Sequence, residues 1–283
     1  MGQHRSMFRV EKMCKVLKVS RSGFYKYLQH VPSKRSLENQ KLLKEIKLIH
    51  LANKQVYGSP RMRKALNLKG FKCSENRVAK LMQKNNIKAK TKKKFRPQYS
   101  KRDKTKLASP NLVKQNFTVQ NINQIWTSDI TYIKTNEGWL YLAVIIDIFS
   151  RNIIAWKTDK RMKESLISDM LRDTIFTRNI TKGIIFHSDR GSQYTSTTLR
   201  LLLKRQGFLQ SMNATGNCYD NAITETFFHT LKTEYVNHQN FISRKQAQAG
   251  LFEYIELFYK RKRLHSSLNY LSPIQFEHLY SKT

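Results

Sequence analysis

The chain has 283 residues, 40% of them hydrophobic and 25% charged. That is enough to bury one catalytic domain with small modules beside it, and too apolar for wholesale disorder. It carries 53 Lys and Arg against 19 Asp and Glu, a formal net charge of +34, which repels itself unless the protein sits on a polyanion. Cys14, Cys73 and Cys218 show no Cys-x-x-Cys spacing, and no apolar run approaches the length of a membrane span, which argues against a disulfide framework, a cysteine-rich zinc site and a transmembrane protein.

The charge is uneven. Residues 1–121 hold a net +27 and residues 122–283 a net +7. The amino-terminal part therefore reads as a region that grips nucleic acid, with binding that weakens steeply as salt rises. The rest reads as an ordinary globular domain. A solvated basic face is the blander explanation. No signal-peptide pattern opens the chain, so a cytoplasmic location is expected.

In chain order, residues 7–18 space Val10, Met13 and Leu17 as a helix does, and Ser20 or Ser22 caps a second helix bearing Phe24, Leu28, Arg21 and Lys26. This pair, within 1–34, has the form of a helix-turn-helix. A longer helix at 36–53 places Leu42, Ile46 and Ile49 on one stripe. Ser59 and Pro60 read as the N-cap and first position of another helix, which Gly70 stops. Ser74 caps the next, with Val78, Leu81 and Met82 inside and Arg77, Lys80 and Lys84 outside. Residues 35–88 thus form a second helix-turn-helix candidate. Residues 89–121, with Lys92, Lys93 and Lys94, read as a basic linker that tracks a phosphate backbone.

From Gln124 the pattern turns to strands. Ile125–Thr135 is rich in β-branched and aromatic residues, Asn136-Glu137-Gly138 makes a turn, and Trp139–Phe149 is apolar enough for a central strand buried on both faces. Strands at 151–158, 183–187 and 208–212 and helices at 163–177, 196–206, 220–236, 243–262 and after Pro273 complete residues 122–283 as an α/β domain with a mixed sheet.

Three acids stand out. Asp129 lies inside a strand, where Asp is disfavoured. Asp189 lies just past a strand end, where α/β sheets place ligand-binding residues. Glu225 lies near a helix start, where a carboxylate is often only a dipole partner. Each alone is more often structural. Together they would offer hard oxygen ligands to two Mg²⁺ ions about 4 Å apart, suited to in-line phosphoryl transfer. Lys232, seven residues after Glu225, shares its helix face and would act as a point charge on a phosphate. His187, His229 and His265 are available for proton transfer or phosphate binding, although a lone His more often packs or bonds locally.

The segments WTSDITYI, YLAVIIDIFSR, HSDRGSQYTS, GNCYDNAITETFFHTLK and HSSLNYLSP occur in this order, and 35 residues separate Asp189 from Glu225. In these segments the chain resembles the transposases of bacterial insertion sequences of the IS-three family, specifically their second-reading-frame product. The upstream YGSPRMRKAL resembles the family's helix-turn-helix region. The resemblance implies a ribonuclease H-like, retroviral-integrase-type core behind all-α DNA-binding modules. It implies a metal-binding, catalytic triad of Asp129, Asp189 and Glu225, followed by the basic Lys232. It also implies Mg²⁺ as cofactor, in two ions, with Mn²⁺ able to substitute. The implied reaction is strand cleavage and transfer on double-stranded DNA, at terminal inverted repeats and a target. Expected DNA contacts are Lys232, Arg190, His187, Arg21, Lys26, Arg61, Arg63, Arg77, Lys80 and Lys92 to Lys94. Expected partners beyond DNA are further copies of the chain, as a dimer or larger, and the first-reading-frame product. Asp147 is not a ligand in the family pattern. The rival readings are an inactive repressor that occupies element ends and a nuclease of the same superfamily.

Overall fold

The computed structural model describes residues 1–29, 31–90, 109–113, 119–178, 180, 182–213 and 221–280. Five helices come first: α1 (Val10–Val16), α2 (Arg21–Leu28), α3 (Lys34–Ala52), α4 (Ser59–Leu68) and α5 (Glu75–Lys84). Helices α3 to α5 close on Leu42, Ile46, Ile49, Met62, Leu66, Val78 and Met82, all buried. Ser74 caps α5 by accepting a hydrogen bond from the Arg77 amide at 3.3 Å, which satisfies one of the donors a helix start leaves open. The cap of α4 differs from expectation: Gly58 takes that position, and Ser59-Pro60 form its first residues.

The α1–α2 pair is thinner. Cys14 and Phe24 are buried, whereas Leu17 is 58% exposed and Leu28 40% exposed. The seven residues of α1 give about two turns, and Leu17 falls past its last one.

The second part is built on the sheet formed by β1 (Ile125–Thr135), β2 (Gly138–Asp147), β3 (Ile153–Asp159), β4 (Ile185–Ser188) and β5 (Leu209–Met212), in the order β3-β2-β1-β4-β5. The first three strands are antiparallel neighbours, and β4 joins β1, and β5 joins β4, in parallel. Gly138 turns the β1–β2 hairpin at φ +106°, which a glycine adopts without penalty.

Strand β2 shows why this sequence makes a two-sided sheet. Leu142, Val144 and Ile146 enter one core, and Ala143 and Ile145 enter the other. Side chains alternate along a strand, so an unbroken apolar run must be covered on both faces. One face is covered by α6 (Glu164–Thr177) and α7 (Thr197–Arg205) through Leu166, Ile167, Met170, Leu171, Leu199 and Leu203. The other is covered by α8 (Ala222–Glu234) and α9 (Arg244–Phe252) through Phe227, Phe228, Leu231, Ala247 and Leu251. Fully burying a side chain of this kind contributes about 1.5–3 kcal/mol. The helix expected over 243–262 is α9 followed by a π-helical stretch, Glu253–Tyr259. The last helix is α10 (Pro273–Tyr280). The core of the α8 face is continuous with that of α3 to α5.

Candidate active site

The sheet places the first two acids by register. Ser128 on β1 pairs with Ser188, the last residue of the parallel strand β4. The next residue in each case is an aspartate, so Asp129 and Asp189 occupy matched positions at the carboxyl end of β4. Both are half-buried. The Asp129 Oδ1 accepts from the Ile130 amide at 2.8 Å, and the Asp189 Oδ1 from the Gly191 amide at 2.9 Å. Tyr194, fully buried, bonds the Ser128 hydroxyl at 2.9 Å. Burial first, and then the charges of Asp129 and Asp189, push its phenol well above the ordinary range. Tyr194 thus lies within the field of both carboxylates. Sequence reasoning passed it over, although it belongs to HSDRGSQYTS.

Helix α8 is fixed to the same strand. The Thr127 hydroxyl donates to the Asn221 side-chain oxygen. The Thr224 hydroxyl donates to that oxygen at 2.9 Å and lies 2.9 Å from the Thr127 hydroxyl. All three residues are buried. Thr127 and Asp129 share a face of β1, as residues two apart on a strand do, so the first turn of α8 stands on the Asp129 side of the sheet. Glu225 follows Thr224 in that turn, with an exposed side chain. Among the described residues, no group of three His, Cys, Asp or Glu side chains is arranged to hold a metal ion. Asp129 and Asp189 follow paired residues of neighbouring strands, and Glu225 lies in the first turn of the helix pinned to that strand.

Lys232 projects from the last turn of α8, with its ammonium 4.9 Å from the centre of the Tyr132 ring. Burial pulls the ammonium below its ordinary value, and Asp129 pulls it partly back. Lysine and aspartate are therefore electrostatic neighbours. Tyr132 itself packs edge-on against Trp139 at 5.0 Å.

Several expected DNA contacts have other occupations. His187 is fully buried, with Nδ1 2.9 Å from the Ser211 hydroxyl and Nε2 2.7 Å from the Asn213 side-chain oxygen. It ties β4 to β5 and presents no surface to a duplex, a correction forced by its inward position on an interior strand. Arg190 donates from Nε to the Asn213 carbonyl at 2.7 Å. Arg77 was expected to face outward. Instead it bonds Asn39 at 2.8 Å and Glu38 at 3.2 Å, so it braces α5 against α3. Arg61 lies 3.7 Å from Glu234, and Arg63 is half-buried. Lys26 and Lys80 are exposed, as is Arg21, which lies 3.5 Å from Glu11. Lys92, Lys93 and Lys94 lie outside the described residues.

His229 is exposed. His265 is buried, and burial with the charges of Arg263, Arg61 and Arg151 lowers its pKa to about 2. Asp147 is a buried structural acid. It accepts from the Asn123 amide at 2.7 Å and from the Ser150 amide and hydroxyl at 2.9 and 3.0 Å. Two larger hollows, of about 600 and 680 Å³, lie beside α7 and β5 and beside α2, away from the aspartates.

Comparison with known proteins agrees with this architecture. Residues 37–95 match a family model described as an HTH-like domain, and residues 120–218 and 225–279 match two models described as integrase core domain. Transposase InsF for insertion sequence IS3A of Escherichia coli (strain K12) is 40% identical over 279 residues, covering 97% of this chain and 96% of that protein. The Insertion element IS600 uncharacterized 31 kDa protein of Shigella sonnei is 39% identical over 268 residues, covering 95% of this chain and 98% of that protein. Among solved structures, the catalytic core domain of BIV integrase aligns with a TM-score of 0.41 at 15% identity, over 56% of this chain and 95% of that one. The HTLV-2 integrase catalytic core domain in complex with magnesium gives 0.42 at 15%, over 56% of this chain and 98% of that one.

The chain belongs to the IS3 family of insertion-sequence transposases. It combines an integrase core domain, built on the mixed five-stranded sheet, with a preceding HTH-like domain, and such a transposase binds DNA. Among the described residues no helix is long and apolar enough to cross a membrane.

Proposed function

We propose that this transposase cleaves one DNA strand at each end of its element and joins the freed 3′-hydroxyl to target DNA, with Asp129, Asp189 and Glu225 as its catalytic carboxylates. In the first step a water oxygen bonds to the phosphorus that joins element to flanking DNA, the element's own terminal 3′-oxygen leaves and takes up a proton to become the 3′-hydroxyl, and the water's proton passes to solvent. In the second the 3′-hydroxyl oxygen bonds to a target phosphorus, and the target's own 3′-oxygen leaves with a proton. No electron changes hands and no enzyme ester forms.

The matched register of Asp129 and Asp189, with α8 pinned to the same face of β1, is the observation that carries this reading. The donor set consists of carboxylate oxygens, which suit Mg²⁺ and Mn²⁺. When bound, a pair of such ions would acidify the attacking hydroxyl and neutralise charge on the leaving oxygen. Asp129 and Asp189 would hold them from the sheet, and Glu225 from the first turn of α8. Lys232, beside Asp129, would hold a substrate phosphate as a point charge. The substrate is double-stranded DNA bearing the element's terminal inverted repeats. The working form is a dimer or larger that bridges two ends, with the first-reading-frame product as a further partner.

The test is a labelled end duplex incubated with purified protein and Mg²⁺ or Mn²⁺. Nicked and joined products are expected from the native chain, and none from Asp189→Asn, which still binds the duplex. An Asp189→Asn protein with full strand-transfer activity refutes the assignment. A native chain that binds without cutting supports a repressor instead.

A further inference from the structure

We propose that a cleft between α4, the loop after β2 and the flank of α8 is a second DNA site, seating one backbone phosphate of the bound duplex on Arg61 and Arg151. The cleft has a volume of about 370 Å³, and Arg61, Arg151, Arg263, His265, Thr226 and Ser267 are among the residues that line it. None of its lining residues is acidic.

The charge in this cleft is lopsided. Arg263 is committed to Glu234, donating from Nε at 2.9 Å and from a terminal nitrogen at 2.6 Å. Arg61 reaches the same carboxylate only at 3.7 Å. The acid whose charge acts on Arg151 is Asp147, and both Asp147 oxygens already accept bonds from Asn123 and Ser150. Arg151 makes no hydrogen bond or ion pair with any described residue. Arg61 and Arg263 therefore share one carboxylate while Arg151 stands beside them with no ion pair of its own, and burial pulls both Arg61 and Arg151 below their ordinary values. His265 stays neutral and adds no charge. Such a cleft favours an anion. Planar guanidinium forks with hydroxyls beside them match the oxygens of a phosphate.

The source of that phosphate follows from what meets in the cleft. Arg61 comes from YGSPRMRKAL in the helix-turn-helix-like domain, Arg151 from the end of YLAVIIDIFSR, Thr226 from GNCYDNAITETFFHTLK and Ser267 from HSSLNYLSP. Thr226 is the residue after Glu225 on α8. The cleft thus lies where the helix-turn-helix-like domain meets the integrase core, so a duplex bound by both would lay its backbone here, and the phosphate it takes is that of DNA. The proposal rests on DNA binding by this family and not on the three carboxylates.

The test measures binding of a labelled duplex of arbitrary sequence to the full chain across a salt series, because a phosphate contact is read independently of sequence. Arg151→Gln is expected to weaken binding roughly tenfold at low salt. It should also make the slope of log affinity against log salt shallower by about 0.9, the loss of one phosphate contact. Ser267 is exposed, so Ser267→Glu tests the rim without disturbing the core. It should weaken binding while Ser267→Gln does not, and this pair decides the matter if Arg151→Gln fails to fold. Asp189→Asn should keep the native slope, so a failure of the catalytic reading leaves this measurement intact. An unchanged slope in Arg151→Gln, or equal binding by the two Ser267 variants, overturns the proposal. It is equally overturned if inorganic phosphate raises the Tm of the native chain while the Ser267 variants bind DNA alike, since the cleft would then hold a free anion.

Discussion

The hydroxyls of Thr127 on β1 and Thr224 on α8 lie 2.9 Å apart and both bond the Asn221 side-chain oxygen. This buried knot fixes the start of α8 to the strand that carries Asp129, two residues from one acid and one residue from another. Thr127→Val keeps the shape of the side chain but leaves Asn221 and Thr224 short of a partner. A buried polar group so stranded costs about 1–3 kcal/mol. The expected result is a modest fall in Tm, unchanged DNA affinity and a strand-transfer rate that drops further than the stability change explains. Gel-based joining assays beside thermal melts check it. A native rate with a lowered Tm would mean that the knot is only structural.

Lys232 offers a cleaner separation of charge from packing. Lys232→Ala removes both the ammonium and its contact with the Tyr132 ring, and is expected to slow strand transfer by about tenfold or more, the scale of about 1.4 kcal/mol in a barrier. Lys232→Arg keeps the charge and the contact with the ring, and should recover part of the rate. Single-turnover joining with preformed protein–DNA complexes reads this difference.

Deeper in the fold, Glu234 and Arg263 form an ion pair with side chains only 8% and 5% exposed. The Tyr254 hydroxyl donates to the same carboxylate at 2.7 Å. Burial works against the Arg263 charge, but the bonds to Glu234 hold its pKa above the ordinary value. Glu234→Gln strands a buried guanidinium, so it is expected to cost about 3–5 kcal/mol. Urea denaturation would show it as a lower midpoint, and an unchanged midpoint would contradict it.

His265 predicts a pH dependence. Its pKa is lowered from 6.5 to about 2 on folding, so the unfolded chain takes up a proton that the folded one refuses. Stability is therefore intact above about pH 6.5 and falls as pH drops below it, by up to about 1.4 kcal/mol per pH unit from this residue. A His265→Gln chain is expected to lose less Tm than the native chain between pH 7 and pH 5, whatever its starting value. Parallel slopes in the two proteins would contradict the assignment.

How much of this was legible in the sequence varies with the signal. Strand β2 announced itself because an apolar run covered on both faces has few alternatives. The Asp129 strand was legible from its β-branched residues, and the caps at Ser20 and Ser74 from local chemistry alone. The occupations of Arg77 and His187 were not legible. A helical wheel puts Arg77 outside, and only the packing of α3 against α5 supplies Asn39 and Glu38 as partners. His187 lies on a strand interior to the sheet, and strand order comes from tertiary pairing. The Arg61–Glu234–Arg263 cluster joins residues far apart in the chain, and no local pattern encodes it. The resemblance located the three acids, and the register of β1 against β4 supplied a physical reason for two of them to be neighbours.

The central claim is that Glu225 joins Asp129 and Asp189 around divalent cations once DNA is bound. Its most direct test replaces Mg²⁺ with Fe²⁺ in the protein–DNA complex and maps where ascorbate and peroxide cut the polypeptide. Cuts clustered at Asp129, Asp189 and Glu225, all suppressed by excess Mg²⁺, are the predicted result. Cuts that spare Glu225, or that persist in excess Mg²⁺, would contradict it.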